Sequence, residues 1–358
     1  MVKVSDLKAF LFTLFLALLG GALFEFLGLP VPWLLGPMAA SLAASISGKA
    51  ALKWPVKLRD TALIIVGYSI GLSFTKPALM QIITHFPSIM LMTFLLIGYC
   101  AVMAMAVARL SGLDYRTALI GSIPGGLSQM IALSEEIKGT DSSAVTIFQV
   151  FRLLMIIFIV PFTVLHPFSG TTDHPVIQAA ADAGLFPEIL IFAPLAVVFA
   201  VLGRKLGLPT AFLTGPIIIT AVLTVSGVDG PELPGVLMDV SQLMIGTYIG
   251  LMFKPGSIVR NGKLIPFAAG SSILLLAGSA GLALLLKNSY GLTFTTSYLS
   301  MAPGGMDQMG IIAHETGADL SIVAGYQLFR VFFIFFAMPY LLKGLFGLMV
   351  RREMNRQR

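Results

Sequence analysis

The stretch "SIPGGLSQM", from Ser122 to Met130, places a proline and two glycines inside a chain that is otherwise strongly apolar. Proline removes a backbone hydrogen-bond donor and glycine weakens any regular element, so the stretch predicts that a helix breaks here. A break at membrane depth leaves polar backbone groups that need protein partners or a wet cavity. The stretch therefore predicts either a packing kink or a binding site.

The composition around this stretch is that of a polytopic membrane protein. Of the 358 residues, 57% are hydrophobic and 11% are charged, whereas a soluble domain carries about 25% charged residues. Apolar runs of transmembrane length recur along the chain, beginning with Ala9–Leu27. We interpret this first run as structural rather than as a signal peptide, because it is long and a matching segment recurs in mid-chain. The lipid bilayer is the first partner that the sequence predicts.

The residues that carry metal, redox or nucleic-acid chemistry are scarce. Four scattered histidines show no metal-ligand spacing, and the single cysteine, Cys100, excludes an internal disulfide. The net charge of +6 comes from basic residues in short loops and at the C-terminus, as membrane topology requires. The sequence accordingly predicts no cofactor, no metal site, no nucleic-acid partner and no enzymatic activity.

The break belongs to a set of motifs that occur twice at almost one spacing. "GLPVPWLLGP" (Gly28–Pro37) returns as "GLPTAFLTGP" (Gly207–Pro216), and "PGGLSQM" returns as "PGGMDQM" from Pro303, each 179 residues later. "GYSIGLSF" returns as "GTYIGLMF", and "FQVFRLLMIIFIVP" returns as "YQLFRVFFIFFAMP". We expect the first pair to shape helix pairs by close packing. The predicted organisation is a first membrane repeat (residues 1–165), a polar linker (166–187) and a second membrane repeat with a basic cytoplasmic tail (188–358).

The charges of the loops predict how the two repeats are oriented. Loops rich in Lys and Arg belong on the cytoplasmic side, and both repeats satisfy this only if each crosses the membrane an odd number of times. Each repeat has six apolar segments, so we predict that the two Pro-Gly-Gly segments make no net crossing. The predicted fold is an all-α polytopic membrane protein of two inverted-topology repeats with about 10–12 membrane segments. Both termini are expected in the cytoplasm, at a bacterial inner membrane.

Paired interrupted helices in inverted repeats are the plan of secondary transporters, whose sites lie where the half-helix ends meet. A helix that starts after a break offers free N–H groups and a positive dipole end, which favour an anion. A kink without a ligand is the alternative, but the duplication of the break and of its polar flanks favours a site. The residues predicted to bind solute here are Pro124, Gly125, Gly126, Ser128 and Gln129, with Pro303, Gly304, Gly305, Asp307 and Gln308.

Arg152 and Arg330 lie near the centre of the last apolar segment of each repeat. A charge there costs about 2.5–3.5 kcal/mol on insertion scales, so each needs a partner or a wet cavity. Gln149 and Gln327 precede them by three positions, on the same helical face. The two arginines and two helix N-termini predict a cationic chamber for a carboxylate or other small anion. The alternative, of equal weight, is that each arginine caps its broken helix or pairs with an acid; both roles are compatible.

Acidic residues near the breaks are candidates for carrying a coupling proton, because a carboxylate next to such a site can exchange one. The candidates are Glu136, Glu315, Asp141 and Asp319.

The repeated "GLPVPWLLGP", "PGGLSQM" and "FQVFR" motifs resemble the membrane AbrB family, whose members carry the AbrB duplication domain twice. The resemblance covers essentially the whole chain and implies a relation to the cation–proton antiporter and anion transporter grouping. Those antiporters have an ion-binding acid pair after the broken helix, where this sequence has Gln149 and Arg152, which disfavours cation exchange. Family members also carry the label of ammonia monooxygenase, which the dispersed histidines disfavour.

We therefore predict an inner-membrane secondary transporter that moves a small anionic solute by alternating access. The alternative is a membrane-embedded ligand sensor that affects gene expression indirectly, in line with the family's regulator label. The sequence leaves open which solute binds and whether the chain forms a homodimer.

Overall fold

The computed structural model describes residues 4–48, 51–137, 139–165, 189–228, 230–252 and 262–356, and within these ranges it contains helices and no strand. The predicted all-α fold is confirmed. The predicted linker, 166–187, lies outside the described residues. The first repeat contains α1 (Val4–Phe26), α2 (Pro32–Ser47), α3 (Val56–Leu72), α4 (Lys76–Ser111), α5 (Tyr115–Ser122), α6 (Leu127–Glu136) and α7 (Ser142–Leu165). The second contains α8 (Ile189–Lys205), α9 (Ala211–Val225), α10 (Gly235–Met252), α11 (Ile265–Tyr290), α12 (Phe294–Met301), α13 (Met306–Glu315), α14 (Leu320–Phe336) and α15 (Met338–Arg356).

The helices follow the twofold pattern of the sequence. Helices α9, α10, α12 and α13 each begin 179 residues after α2, α3, α5 and α6. Their packing repeats as well, because α2 packs on α10 as α9 packs on α3, and α5 packs on α7 as α12 packs on α14. In the paired GLP motifs, Gly36 lies against Gly20 of α1, and Gly215 lies against Phe199 of α8. The prediction that these motifs pack helices closely is confirmed.

The helices form two bundles, and each bundle takes members from both repeats. We call α1–α3 with α8–α10 the scaffold bundle, and α4–α7 with α11–α15 the hairpin bundle. Contacts between the bundles include α13 and α14 of the hairpin bundle packing against α3 of the scaffold bundle. A space between the bundles is therefore bounded by both repeats.

Both predicted helix breaks are present. The first separates α5 from α6 over residues 123–126, and the second separates α12 from α13 over residues 302–305. We call the two broken pairs the first and second hairpins, and we call Pro124–Gly126 and Pro303–Gly305 their tips. Proline and glycine at these tips end one short helix and start another, as the local chemistry of both residue types requires.

Each hairpin returns to the end of the bundle where it began. The backbone N–H of Asp141, just before α7, donates to Oγ1 of Thr117 near the start of α5, at 3.1 Å. In the second repeat the backbone N–H of Asp319 donates to Oγ1 of Thr296, also at 3.1 Å. The hairpins therefore enter and leave on one side, which agrees with the prediction that they make no net crossing.

Helix α3 and its counterpart α10 run antiparallel. The guanidinium carbon of Arg59, at the start of α3, lies 4.7 Å from the ring centroid of Tyr248, near the end of α10. At the other end of α3, the hydroxyl of Tyr68 donates to the carbonyl oxygen of Pro231 at 2.6 Å, just before α10 begins. A helix and its copy pointing in opposite directions is the geometry that inverted repeats require. The orientation of the two halves across a membrane stays a prediction.

Five of the described helices are long and apolar enough to cross a membrane, or six if α14 and α15, bent by 48°, count as one span. Helix α9 is apolar but has only 15 residues. The predicted count of about 10–12 segments therefore includes helices shorter than a typical span of about 20 residues. The five long spans lie in α1, α4, α7, α10 and α11.

Thiol labelling tests the hairpin topology. In a Cys100→Ala background, we expect Asp114→Cys and Glu136→Cys to react with a membrane-impermeant maleimide from one side, because both lie exposed at the open end of the first hairpin. Thr293→Cys and Glu315→Cys, exposed at the open end of the second hairpin, should react from the other side. Labelling of the first pair from opposite sides would refute the re-entrant hairpin. Labelling of all four from one side would refute the inversion.

Candidate functional site

A cavity of about 450 Å³ lies between the two bundles and is lined by both hairpin tips. Its walls come from α3, α10 and the start of α9 on the scaffold side, and from α6, α7, α13 and α14 on the hairpin side. Its volume is within the range of about 300–1,000 Å³ that small-molecule sites occupy. Much of the wall is apolar, including Leu63, Phe212 and Ile249. The two breaks thus frame one space.

Most of the predicted site residues meet at this cavity. Pro303, Gln327 and Arg330 are buried behind it and do not line it. Ser128 lies in the first turn of α6, and its side chain is outside the described part of the structure. The predicted residues that line the cavity are Pro124, Gly125, Gly126, Gln129, Gln149, Arg152, Gly304, Gly305, Asp307 and Gln308.

Arg152 and Gln149 of α7 bond to the carbonyl groups at the end of α5. Arg152 donates from Nη1 to the carbonyl oxygen of Ile123 at 2.9 Å and from Nη2 to that of Gly125 at 3.3 Å. The amide nitrogen of Gln149 donates to the carbonyl oxygens of Ile120 at 2.9 Å and Ile123 at 3.0 Å. The last carbonyls of a helix have no intrahelical donors and carry its negative dipole end. The two side chains therefore cap the broken helix.

Arg330 and Gln327 of α14 do the same for α12. The Gln327 amide donates to the carbonyl oxygens of Leu299 at 2.6 Å and Ala302 at 3.2 Å. Arg330 donates to the Oε1 atom of Gln327 and, at 2.7 Å, to the carbonyl oxygen of Ala302. It also donates to the carbonyl oxygens of Ser300 and Met301. Between the two interpretations of the arginines, this geometry supports capping for both.

The two arginines differ in their access to the cavity. Arg152 lines it, and its Nε atom is buried without a hydrogen-bond partner in the described structure, as is Oε1 of Gln149. Arg330 is 2% exposed, and all its hydrogen bonds are to backbone carbonyls or Gln327. No described carboxylate lies within 4.0 Å of either guanidinium. Arg152 is therefore the one of the pair whose charge a solute can reach.

The N-termini of α6 and α13 are bonded differently. The N-cap of α13 is Gly305, whose N–H donates to Oε1 of Gln308 at 2.7 Å, and the Gln308 amide donates to Oδ2 of Asp307 at 2.9 Å. The N-cap of α6 is Gly126, which makes no side-chain cap hydrogen bond. The counterpart glutamine, Gln129, instead donates to the carbonyl oxygen of residue 335 in α14, at 2.9 Å. Among the described side chains none caps the start of α6 beside the cavity, whereas the start of α13 is bonded by its own side chains.

Arg59 and Tyr248 line the cavity and were not predicted as site residues. Arg59 donates to Oδ1 of Asp60 from Nη2 at 2.7 Å and from Nε at 3.1 Å, and it lies over the Tyr248 ring. In the sequence, the charge of Arg59 is already explained by the positive-inside rule. No signal in the sequence distinguishes it from the other basic residues of its loop, so only the fold identifies it.

The four predicted coupling acids lie away from the cavity. Glu136 and Glu315 are exposed. Glu136 forms an ion pair with Nζ of Lys343 at 2.6 Å, and Glu315 accepts from the amide of Gln242 at 2.7 Å. Asp141 and Asp319 accept backbone N–H groups at the starts of α7 and α14. Asp307 is the only described carboxylate that lines the cavity, and the described residues contain no cluster suited to a metal ion.

The similarity of this chain to known proteins covers both repeats. A family model described as "Transition state regulatory protein AbrB" matches residues 33–346. The Escherichia coli (strain K12) protein named "Putative regulator AbrB" is 29% identical over 315 residues, which cover 87% of this chain and 89% of that protein. The "Uncharacterized protein YhjN" of Bacillus subtilis (strain 168) is 25% identical over 362 residues, covering 95% of this chain and 94% of that protein.

Proposed function

The chain belongs to the AbrB family, and from its central cavity we propose that it is a secondary transporter of a small anionic solute in the bacterial inner membrane. The observation that carries this proposal is the position of Arg152. Arg152 lines a cavity between the two bundles, and no described carboxylate lies within 4.0 Å of its guanidinium. An anionic group of the solute offsets this charge when it binds, and the open start of α6 adds a positive dipole end beside it.

Transport by alternating access needs two states of the protein. The two hairpins are copies of each other but pack differently against the scaffold bundle, which supports a second state in which their packing is exchanged. In the second hairpin, α13 packs on α3, where Gly310 lies against the side chain of Ile70. In the first hairpin, α6 lines the cavity, and its described residues make no comparable packing against α10. Because the two hairpins are copies, an exchange of their packing closes the cavity on one side and opens its counterpart on the other.

The cavity lies beside Arg59 and Thr210, at helix ends whose neighbouring loops carry Lys and Arg. The positive-inside rule assigns such loops to the cytoplasm. In the proposed cycle, this structure is therefore the inward-facing state, in which the solute exchanges with the cytoplasm.

Liposomes containing the purified protein test transport directly. With an imposed pH gradient, we expect time-dependent uptake of a radiolabelled small carboxylate, above the level in liposomes without protein. Arg152→Gln should lower the initial rate by about tenfold or more, because a hydrogen bond to a charged group is lost. Lys287→Gln, an exposed change at the end of α11, is the matched control and should leave the rate unchanged. No uptake of any solute in a broad panel of small carboxylates and amino acids would contradict the proposal.

A ligand sensor that affects gene expression indirectly is the second candidate. It is favoured by the name of the Escherichia coli relative, which describes a regulator. Sensor and transporter are distinguished in the same liposomes. A solute that raises the unfolding temperature of the protein, yet never accumulates inside liposomes under any imposed gradient, would favour the sensor.

A further inference from the structure

Two residues of opposite charge, Arg152 and Asp307, line the cavity without an ion pair within 4.0 Å in the described structure. Arg152 forms no ion pair in the described structure, and neither does Asp307. Arg59, which also lines the cavity, is neutralised by Asp60 at 2.7 Å. An uncompensated charge that lines a cavity is costly unless a ligand, an ion or water meets it. The cavity therefore offers one site for an anionic group and one for a cationic group.

The positive site is built by the first hairpin and α7. Arg152, which is 7% exposed, lines the cavity, and its buried Nε atom has no hydrogen-bond partner among the described residues. The N–H groups at the uncapped start of α6, after Gly126, lie at the same cavity. Donors from two directions suit a carboxylate, which accepts through two oxygens.

The negative site is built by the second hairpin. Asp307 stands at the position where the first repeat has Ser128, so the duplicated tips differ by one negative charge. Gln308 bonds one oxygen of this carboxylate, and no cation pairs with it in the described structure. Arg330, the counterpart of Arg152, lies behind the tip and does not line the cavity. The second hairpin therefore brings a carboxylate to the cavity where the first has a serine, and the guanidinium at the cavity comes from α7.

Among solutes with an anionic group, the cavity favours one that also carries a cationic group. A solute with only an anionic group that binds at Arg152 leaves the Asp307 carboxylate facing it within the same cavity, and like charges repel. A solute that also carries an ammonium group meets both charges. The remaining wall is apolar and includes Leu63, Ile245 and Ile249. These surfaces suit an aliphatic or aromatic side chain.

We propose that the solute is a zwitterion, an apolar amino acid whose carboxylate binds at Arg152 and whose ammonium binds at Asp307. This rests on the proposed function and names the substrate class of the same site. The duplicated tips thereby have separate tasks, because the open start of α6 receives the carboxylate and Asp307 receives the ammonium. The apolar wall selects the side chain.

Three matched series of compounds test the substrate class with the purified full-length protein. The amino acids are L-alanine, L-leucine and L-phenylalanine. The first controls lack the amino group: propanoate, 4-methylpentanoate and 3-phenylpropanoate. The second controls lack the carboxylate: ethylamine, 3-methylbutylamine and 2-phenylethylamine. In the series that binds best, we expect the amino acid to bind about tenfold or more tightly than either control, because each charged contact contributes at least that factor.

The Asp307→Asn variant tests the ammonium site itself. We expect it to lose most of the preference for the amino acid over the matched carboxylate, while Lys287→Gln keeps that preference. Equal or tighter binding of the carboxylate to the wild-type protein would overturn the zwitterion and leave the anion transporter standing. An absence of both binding and uptake for every carboxylate-bearing probe would overturn the proposed function as well. If Asp307→Asn does not fold, the wild-type comparison within each series still decides.

Discussion

Replacing Arg330 by methionine is expected to lower the free energy of unfolding by about 3 kcal/mol or more, and the same change at Arg152 is expected to cost less. Arg330 donates to three consecutive backbone carbonyls and to Gln327, and it is 2% exposed. Without it, the carbonyls of Ser300 and Met301 lose this donor, and the carbonyl of Ala302 keeps only the Gln327 amide. Arg152 donates to two carbonyls and lines the cavity, where water can take its place.

The measurement uses a thiol-reactive fluorescent dye, because the single cysteine, Cys100, is fully buried and reacts only when the chain unfolds. We expect the unfolding temperature to fall most for Arg330→Met, less for Arg152→Met and very little for Lys287→Met, which is exposed. Arg330→Lys keeps the charge but not the forked donors, so its unfolding temperature should lie between those of the wild type and Arg330→Met. A larger loss at Arg152 than at Arg330 would contradict the unequal access of the two arginines to the cavity.

The fold was predictable where its cause is local in the sequence. The helix breaks at Pro124 and Pro303 follow from backbone chemistry that proline and glycine impose wherever they occur in a helix. The non-crossing hairpins follow from counting crossings against loop charges. Both inferences use only neighbouring residues or the order of segments, and the structure contains the hairpins where the sequence places them.

The site was predictable only in part, because its walls come from distant segments. The sequence gives no reason to bring Arg59 and Tyr248 to the tips, since both belong to the other bundle. The carbonyls that accept from Arg152 lie 27 and 29 positions earlier in the chain. Capping and solute binding therefore could not be separated for the two arginines. Their unequal access to the cavity comes from the unequal packing of the hairpins, which two similar motifs do not encode.

The second large effect is expected at the glycines of the repeated "GYSIG" and "GTYIG" motifs, which join the two repeats. In α10, a Cβ atom on Gly246 would overlap the carbonyl oxygen of Leu34 in α2, and one on Gly250 would overlap that of Met38. In the counterpart contact between α3 and α9, a Cβ atom on Gly67 would overlap a backbone carbonyl oxygen of α9. Glycines four positions apart allow the backbones of neighbouring helices to approach closely, as in membrane helix pairs.

We expect Gly246→Val to destabilise the protein by about 3 kcal/mol or more, at the upper end of the cost of overpacking, because a backbone carbonyl cannot turn aside as a side chain can. Gly281→Val in α11 is the matched control, since nothing lies within 4 Å of a Cβ atom there. Dye labelling of Cys100 during heating and the yield of monodisperse protein measure the difference. Equal unfolding temperatures for the two valine variants would refute the close contact between α10 and α2.

The same substitution is expected to affect solute recognition as well as packing. Helix α10 supplies Tyr248 and Ile249 to the cavity wall, so moving it away from α2 disturbs the cavity as well as the core. Gly67→Val tests the counterpart contact, in which α3 of the first repeat packs on α9 of the second repeat with the same geometry. If the two repeats are held together by one contact used twice, both valine variants should lose stability to a similar degree. A large loss at one position alone would show that a single contact holds the scaffold bundle.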